Sequence, residues 1–174
     1  MSAAVLPDTE TMVRELWDRQ QIADVMNRFG RGLDLHDWGL YASTLCDPFE
    51  VDFTDLTGRP PATTTPDIWA KFASACLERL LVHHQYSNFT IELNGDEASG
   101  VFYMVSRHRL ANIHGADDYT QYGWYENSFR RTEDGWKISK LKHGFLWCDG
   151  NPLLIDFTDT DWQAAADTVF GPQA

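Results

Sequence analysis

The chain has 174 residues, 43% of them hydrophobic, with 26 acidic against 14 basic side chains and a formal charge of -12. A chain of that length buries roughly 70% of its extended surface on folding, enough for one well-packed core. The acidic balance excludes nucleic acid or an anionic membrane surface as the main partner, because phosphate binding needs a basic footprint.

From Asp8 to Leu33 the apolar residues Met12, Val13, Leu16, Ile22, Val25, Met26, Phe29 and Leu33 recur at three- and four-residue steps, which predicts a long amphipathic helix. Gly30 and Gly32 are expected to loosen its end. Asp37 to Leu45 predicts a short second helix, and the alternation of Phe49, Val51 and Phe53 predicts a strand over Pro48 to Asp55. A Pro- and Thr-rich connector, Gly58 to Pro66, leads to a third helix, Asp67 to Leu81, with Ile68, Trp69, Phe72, Cys76, Leu77 and Leu80 on one side.

Beyond Leu81 the period changes from about 3.6 to 2. Asn94-Gly95-Asp96 marks a hairpin between strands Val82–Leu93 and Ala98–Asn112, and Glu133-Asp134-Gly135 marks another between Tyr119–Thr132 and Trp136–Leu146. The polar run His114 to Asp118 joins the hairpins, and Thr160 to Phe170 predicts a last helix. No repeat or internal boundary is visible, so residues 1–174 read as one domain with its core over about 13–148. No Lys or Arg follows Lys142, so the acidic tail, 149–174, is expected to stay solvated. Helices followed by a meander of antiparallel strands imply an α+β fold with helices on one face of a curved sheet.

The period-2 pattern sorts residues onto faces. Phe102, Met104, Ser106, His108 and Leu110 share one face of their strand and are assigned to the interior; Tyr103, Arg107 and Arg109 face out. On the preceding strand Val82, His84, Tyr86, Asn88 and Thr90 share a face. A surface mixing His, Tyr and Asn with Phe and Met suits a cavity lining better than a dry core.

Asp34, between Leu33 and Leu35 where the first helix runs out, is the first candidate for proton transfer, since an apolar setting favours a protonated carboxyl. The plain alternative is an ordinary acid at a helix end. His84 and His108 are the next candidates, with hydrogen-bonded core histidines as the alternative. Adjacent strand residues point to opposite faces, so His83 and His84 are not expected to share a metal ion, and neither metal nor cofactor is expected. Cys46, Cys76 and Cys148 are odd in number and widely spaced, and read as free thiols. Gly30-x-Gly32 follows a helix and lacks a third glycine, so it is no dinucleotide fingerprint. Met1 to Glu10 has no basic stretch leading into an apolar run, and no window approaches the roughly 18 apolar residues of a membrane helix, so a cytoplasmic location is expected.

The order of the long helix, Leu33-Asp34-Leu35-His36-Asp37-Trp38, Val51-Asp52-Phe53, His84-x-x-x-Asn88, Ile91-x-x-Asn94-Gly95-Asp96 and Phe129-Arg130-Arg131-x-x-x-Gly135-Trp136-Lys137-Ile138 resembles the SnoaL-like family of the nuclear transport factor 2-like (NTF2-like) superfamily. The resemblance implies a cone: a strongly curved antiparallel sheet wrapped around N-terminal helices with an internal apolar pocket. Scytalone dehydratase, bile acid 7α-dehydratase, hexachlorocyclohexane dehydrochlorinase and cofactor-free aryl side-chain lyases belong to that group. In the dehydratases and the dehydrochlorinase an Asp ending the first helix pairs with a sheet His to abstract a proton. Asp34 and His84 fall on those positions, and His108 falls on a second pocket histidine of scytalone dehydratase. The tyrosines that flank a water in that enzyme are replaced here by Leu33 and Phe53, and its late-strand Ser and Asn correspond to Gly123 and Tyr125.

The resemblance therefore implies a cofactor-independent lyase acting on a hydrophobic aromatic or alicyclic small molecule. Asp34 and His84 form the base, His108, Tyr125 and Asn88 serve as dipoles or proton donors, and Phe53, Tyr86, Phe102, Met104 and Trp124 form the binding wall. The alternatives are the non-catalytic small subunit of a ring-hydroxylating dioxygenase, for which Tyr103, Arg107 and Arg109 would be a docking surface, a ketosteroid-isomerase-like isomerase, or a binding protein. A homodimer or homotrimer through the open sheet face is expected.

Overall fold

The computed structural model describes residues 8–111 and 115–172. Most of the N-terminal stretch Met1–Glu10, the strand end at Asn112, the start of the connector at His114 and the last two residues of the tail therefore lie outside the described residues.

Helix α1 (Thr9–Asp34) starts where the Asp8 carboxylate accepts the Thr11 N–H at 3.0 Å. Its apolar stripe, Ile22, Val25, Met26, Phe29 and Leu33, is buried. The helix runs through both glycines rather than loosening at them. A Cβ on Gly30 would lie 2.7 Å from the Tyr86 ring, and one on Gly32 2.7 Å from the Tyr41 backbone nitrogen. The glycines serve close approach of neighbouring elements, not helix termination.

Helix α2 (Trp38–Ser43) is capped by Asp37, and is followed by β1 (Leu45–Asp52), the single turn α3 (Thr54–Thr57) and β2 (Ala62–Thr64). The predicted connector thus holds a short edge strand paired antiparallel to β1. Helix α4 (Pro66–Leu77) begins with Thr65 as cap and Pro66 in its first turn, and ends four residues before the predicted limit. Four long strands follow: β3 (Leu81–Asn94), β4 (Glu97–Arg109), β5 (Asp118–Thr132) and β6 (Gly135–Gly150). The sheet order is β2-β1-β6-β5-β4-β3; β1 runs parallel to β6 and the other pairs are antiparallel. It is a curved, unclosed α+β cone, with α1, α2 and α4 filling the concave side.

Three irregularities bend the long strands. Between Ser87 and Thr90 two residues of β3 oppose one of β4, with Asn88 at φ 52. On β6, Ser139 and Leu146 are the extra residues opposite β5. Each reverses which side chains face inward beyond it, because the alternation has period 2.

The tail expectation is corrected. Residues Thr160–Phe170 form helix α5, packed on α4, and Leu154, Ile155, Trp162, Ala166 and Val169 belong to the same buried cluster as the sheet and α1. The missing cation is supplied from elsewhere: Arg59, 2% exposed, reaches Asp167 from the loop before β2. Among the described residues no helix is long and apolar enough to cross a membrane.

Asp18 breaks the apolar stripe of α1 for an evident reason. Its two oxygens accept from Arg131 Nη1 and Nη2, each at 2.8 Å, and one also accepts from Trp136 Nε1 at 3.1 Å. Hydrogen bonding to the guanidinium holds the carboxyl below its ordinary value of 3.8. A depressed acid contributes stability above its unfolded value and loses it as pH falls through the folded one. Asp18→Asn is thus expected to cost about 2 kcal/mol at pH 7, with the gap closing only as pH falls below the ordinary carboxyl value of 3.8 and through the lowered folded one. Thermal unfolding of both proteins across that range checks it, and a gap that does not depend on pH would refute the ion-pair assignment.

Candidate active site

Asp34 is the last residue of α1. A negative charge in the last turn of a helix is disfavoured by about 0.3–1 kcal/mol, so its presence calls for a partner. That partner is β3. Asp34 Oδ1 accepts the backbone N–H of His84 at 2.8 Å and lies 2.8 Å from His84 Nδ1. Oδ2 lies 3.5 Å from His83 Nδ1. Strand alternation sends the His84 ring inward and the His83 ring outward, yet both reach the two sides of one carboxylate. The carboxylate accepts hydrogen bonds, which assigns the hydrogen of His84 to Nδ1 and leaves a lone pair on Nε2.

His84 Nε2 is 3.0 Å from Ser106 Oγ on β4. Ser106 Oγ is in turn 3.2 Å from His108 Nε2, and His108 Nδ1 faces the Tyr119 carbonyl at 3.3 Å. Burial, reinforced by the neighbouring His84, pushes the His108 imidazole down to about 4, so it is neutral at pH 7.

These groups open onto a narrow cavity inside the cone, with about 80 Å³ open to the centres of water molecules. Leu33, Tyr41, Phe53, Trp69, Phe72 and Leu77 form the helix side, and Met104 and Tyr125 come from the sheet. Ile155, Phe157 and Trp162 close it from the C-terminal segment. The polar lining includes His84, Ser106, His108, Gln121 and His143. Burial raises the Tyr125 phenol above its usual range. Tyr41 accepts a hydrogen bond from Trp69 Nε1 at 2.7 Å.

Of the residues singled out from the sequence, the structure gathers His84, His108, Tyr125, Phe53 and Met104 around the cavity, with Asp34 directly behind His84. The others lie elsewhere. Tyr86 packs against Gly30 and edge-on to Tyr125, with its hydroxyl buried and unpartnered. Phe102 is core, between Phe89 and Phe129. Asn88 sits in the β3 bulge and is exposed, as is Thr90. Trp124 points to the outer face beside Tyr103. The expected wall of Tyr86, Asn88, Phe102 and Trp124 is therefore corrected: α1 fills that part of the cone, and the bulge turns Asn88 outward.

The structure adds Ser106, Gln121 and His143. Ser106 was legible as an interior residue but carries no motif. Gln121 Nε2 donates to the Tyr119 hydroxyl at 3.1 Å. His143 stacks on Phe53 with ring centres 5.0 Å apart, and its Nδ1 is buried without a partner. Burial pushes His143 down to about 4. Its position was hidden because alternation from Trp136 and Ile138 would place it outside; the extra residue at Ser139 brings it in. Among the described residues no group of three or more His, Cys, Asp or Glu could hold a metal ion.

The fold is shared with known proteins. The Kfla4162 protein from Kribbella flavida is 26% identical, with a TM-score of 0.76 over 85% of this chain and 99% of its own. A scytalone dehydratase-like protein from Novosphingobium aromaticivorans DSM 12444 is 19% identical, with a TM-score of 0.68 over 83% of this chain and 92% of its own. The hexachlorocyclohexane dehydrochlorinase LinA-type3 from Novosphingobium barchaimii LL02 is 18% identical, with a TM-score of 0.68 over 80% and 94%. No curated protein matches the sequence. A model of the SnoaL-like domain matches residues 14–142, most of the chain, and the protein belongs to that SnoaL-like family of the NTF2-like superfamily.

Proposed function

We propose that the chain is a cofactor-independent lyase that removes a proton from a hydrophobic aromatic or alicyclic small molecule, with His84, oriented by Asp34, as the proton acceptor. The observation that carries this reading is the 2.8 Å contact between Asp34 Oδ1 and His84 Nδ1 at the wall of an apolar cavity. A carboxylate behind an imidazole fixes its tautomer and stabilises the imidazolium formed on proton uptake. General base help of this kind is worth about 10²- to 10⁴-fold. The low dielectric of the cavity strengthens the effect of dipoles aimed at developing charge, and His108, Tyr125, Gln121 and His143 are the groups available for it. Two fold neighbours are described as a scytalone dehydratase-like protein and a dehydrochlorinase, names that belong to eliminations. Loss of water, cleavage of a carbon–carbon bond with release of a small aldehyde, and double-bond migration all begin with the same proton removal.

The test is a thermal-shift screen of phenolic, steroidal and polyketide-type rings, followed by mass analysis of the mixtures. A ligand at 100 times its Kd raises stability by about 2.7 kcal/mol. Conversion of a stabilising ligand by the wild type supports the reading. Stabilisation without conversion identifies a binding protein instead.

A further inference from the structure

The polar cluster is one hydrogen short. His84 Nδ1 faces Asp34 Oδ1, and His108 Nδ1 faces the Tyr119 carbonyl. Both partners only accept, so each ring places its hydrogen on Nδ1 and leaves a lone pair on Nε2. The two lone pairs converge on one hydroxyl, at 3.0 and 3.2 Å. Ser106 has a single hydrogen to give. Whichever ring receives it, the other Nε2 faces an oxygen lone pair inside a buried site, where an unmatched polar atom is costly.

One added proton removes the conflict. With a hydrogen on His84 Nε2, that group donates to Ser106 Oγ, the Ser106 hydroxyl donates to His108 Nε2, and every atom from Asp34 to the Tyr119 carbonyl has a partner.

We propose that Ser106 is the relay that joins His84 and His108 into one unit holding a single proton, with His108 Nε2 offering its lone pair to the ligand. The proposal rests on the acid–base reading of the site and adds the route. With the Ser106 hydrogen given to His84 Nε2, the nearer of the two at 3.0 Å, the His108 Nε2 lone pair is left free at the cavity wall, and a proton leaving a ligand carbon joins it while the bonding pair stays on the ligand. His108 then gives a proton to Ser106 Oγ as the Ser106 hydrogen passes to His84 Nε2. The reverse transfer returns a proton to a departing group. His108, whose burial disfavours charge, does not retain the proton; His84, beside Asp34, does.

Other titratable groups face the unit from every packed element. They are His83 on the outer Asp34 oxygen, Tyr41 on α2, Cys76 on α4, Tyr86 on β3, Tyr119 and Tyr125 on β5, and His143 on β6. Burial raises the four tyrosines, pushes Cys76 up to about 12, and pushes His143 down to about 4. The four tyrosines, Cys76 and His143 therefore stay neutral while the imidazole pair is read, and the ¹⁵N signals of His83 are assigned separately.

Nitrogen NMR of the full chain labelled with ¹⁵N-histidine tests this without a ligand. In the wild type both rings are expected as the Nδ1–H tautomer, and the pair takes up its first proton at His84. In Ser106→Ala the His84 midpoint is expected to fall by about one pH unit, a tenfold loss of proton affinity, because Nε2–H loses its acceptor. A hydrogen on His108 Nε2 in the wild type, or unchanged midpoints in Ser106→Ala, overturns the relay. Should the variant fail to fold, the wild-type tautomers decide alone. Neither readout depends on turnover, so the relay and the lyase reading fail separately.

Discussion

Asp34→Asn is expected to lower turnover of any substrate found by about 10²- to 10⁴-fold while leaving the fold and the melting temperature nearly unchanged. The two halves of that expectation have different origins. Asn keeps a carbonyl oxygen that can accept from the His84 backbone N–H and from Nδ1–H, so the 2.8 Å contacts that seat β3 on the end of α1 survive. The substitution also removes a negative charge from the last turn of a helix, where it was unfavourable. What is lost is the charge that stabilises an imidazolium on His84, and with it the base. Circular dichroism and thermal unfolding report the first half, and steady-state kinetics the second. Full turnover in this variant would end the base assignment, and a collapsed fold would show that Asp34 serves structure alone.

Arg59→Met should produce the largest loss of stability, about 3 kcal/mol, or a fall of about 10 °C in Tm for a chain of this size. The side chain is 2% exposed, and its guanidinium donates to Asp167 Oδ1 at 2.6 Å, to the Gly171 carbonyl at 2.8 Å and to Gln163 Oε1 at 2.8 Å. It therefore neutralises an acid and satisfies a carbonyl at the C-terminal end of α5, where a cation is favoured by the helix dipole. Met preserves apolar volume but leaves those acceptors without a donor. Because Ile155, Phe157 and Trp162 wall the cavity, loosening α5 should also open the site. Hydrogen exchange is expected to rise over residues 152–170 ahead of the sheet. An unchanged Tm with unchanged exchange in that segment would show that α5 is held by its apolar contacts alone.

The family resemblance that the sequence carried is matched by the SnoaL-like domain model, and the alternation of residues 100–110 gave the correct inner face of β4, where Phe102, Met104, Ser106 and His108 are all buried. Burial did not decide cavity lining. Phe102 and Met104 share that face, yet only Met104 reaches the open space, because Phe102 lies where Phe89 and Phe129 close over it.

The sequence by itself determined the long helices, the four long strands and their α+β order, and the family resemblance it carries implied the pairing of Asp34 with His84. Helix periodicity and turn residues are local signals, carried by a few neighbouring positions. The tertiary structure decided the rest. An extra residue at a bulge is defined only against the partner strand, and one such residue moves Asn88 out of the cone and another brings His143 in. The tail lacks a cation of its own, and the one that meets it is Arg59, more than 100 positions away in the chain from Asp167 and Gln163. The convergence of two imidazoles on Ser106 likewise exists only after β3 and β4 pair, because hydrogen-bond partners are chosen by distance in space.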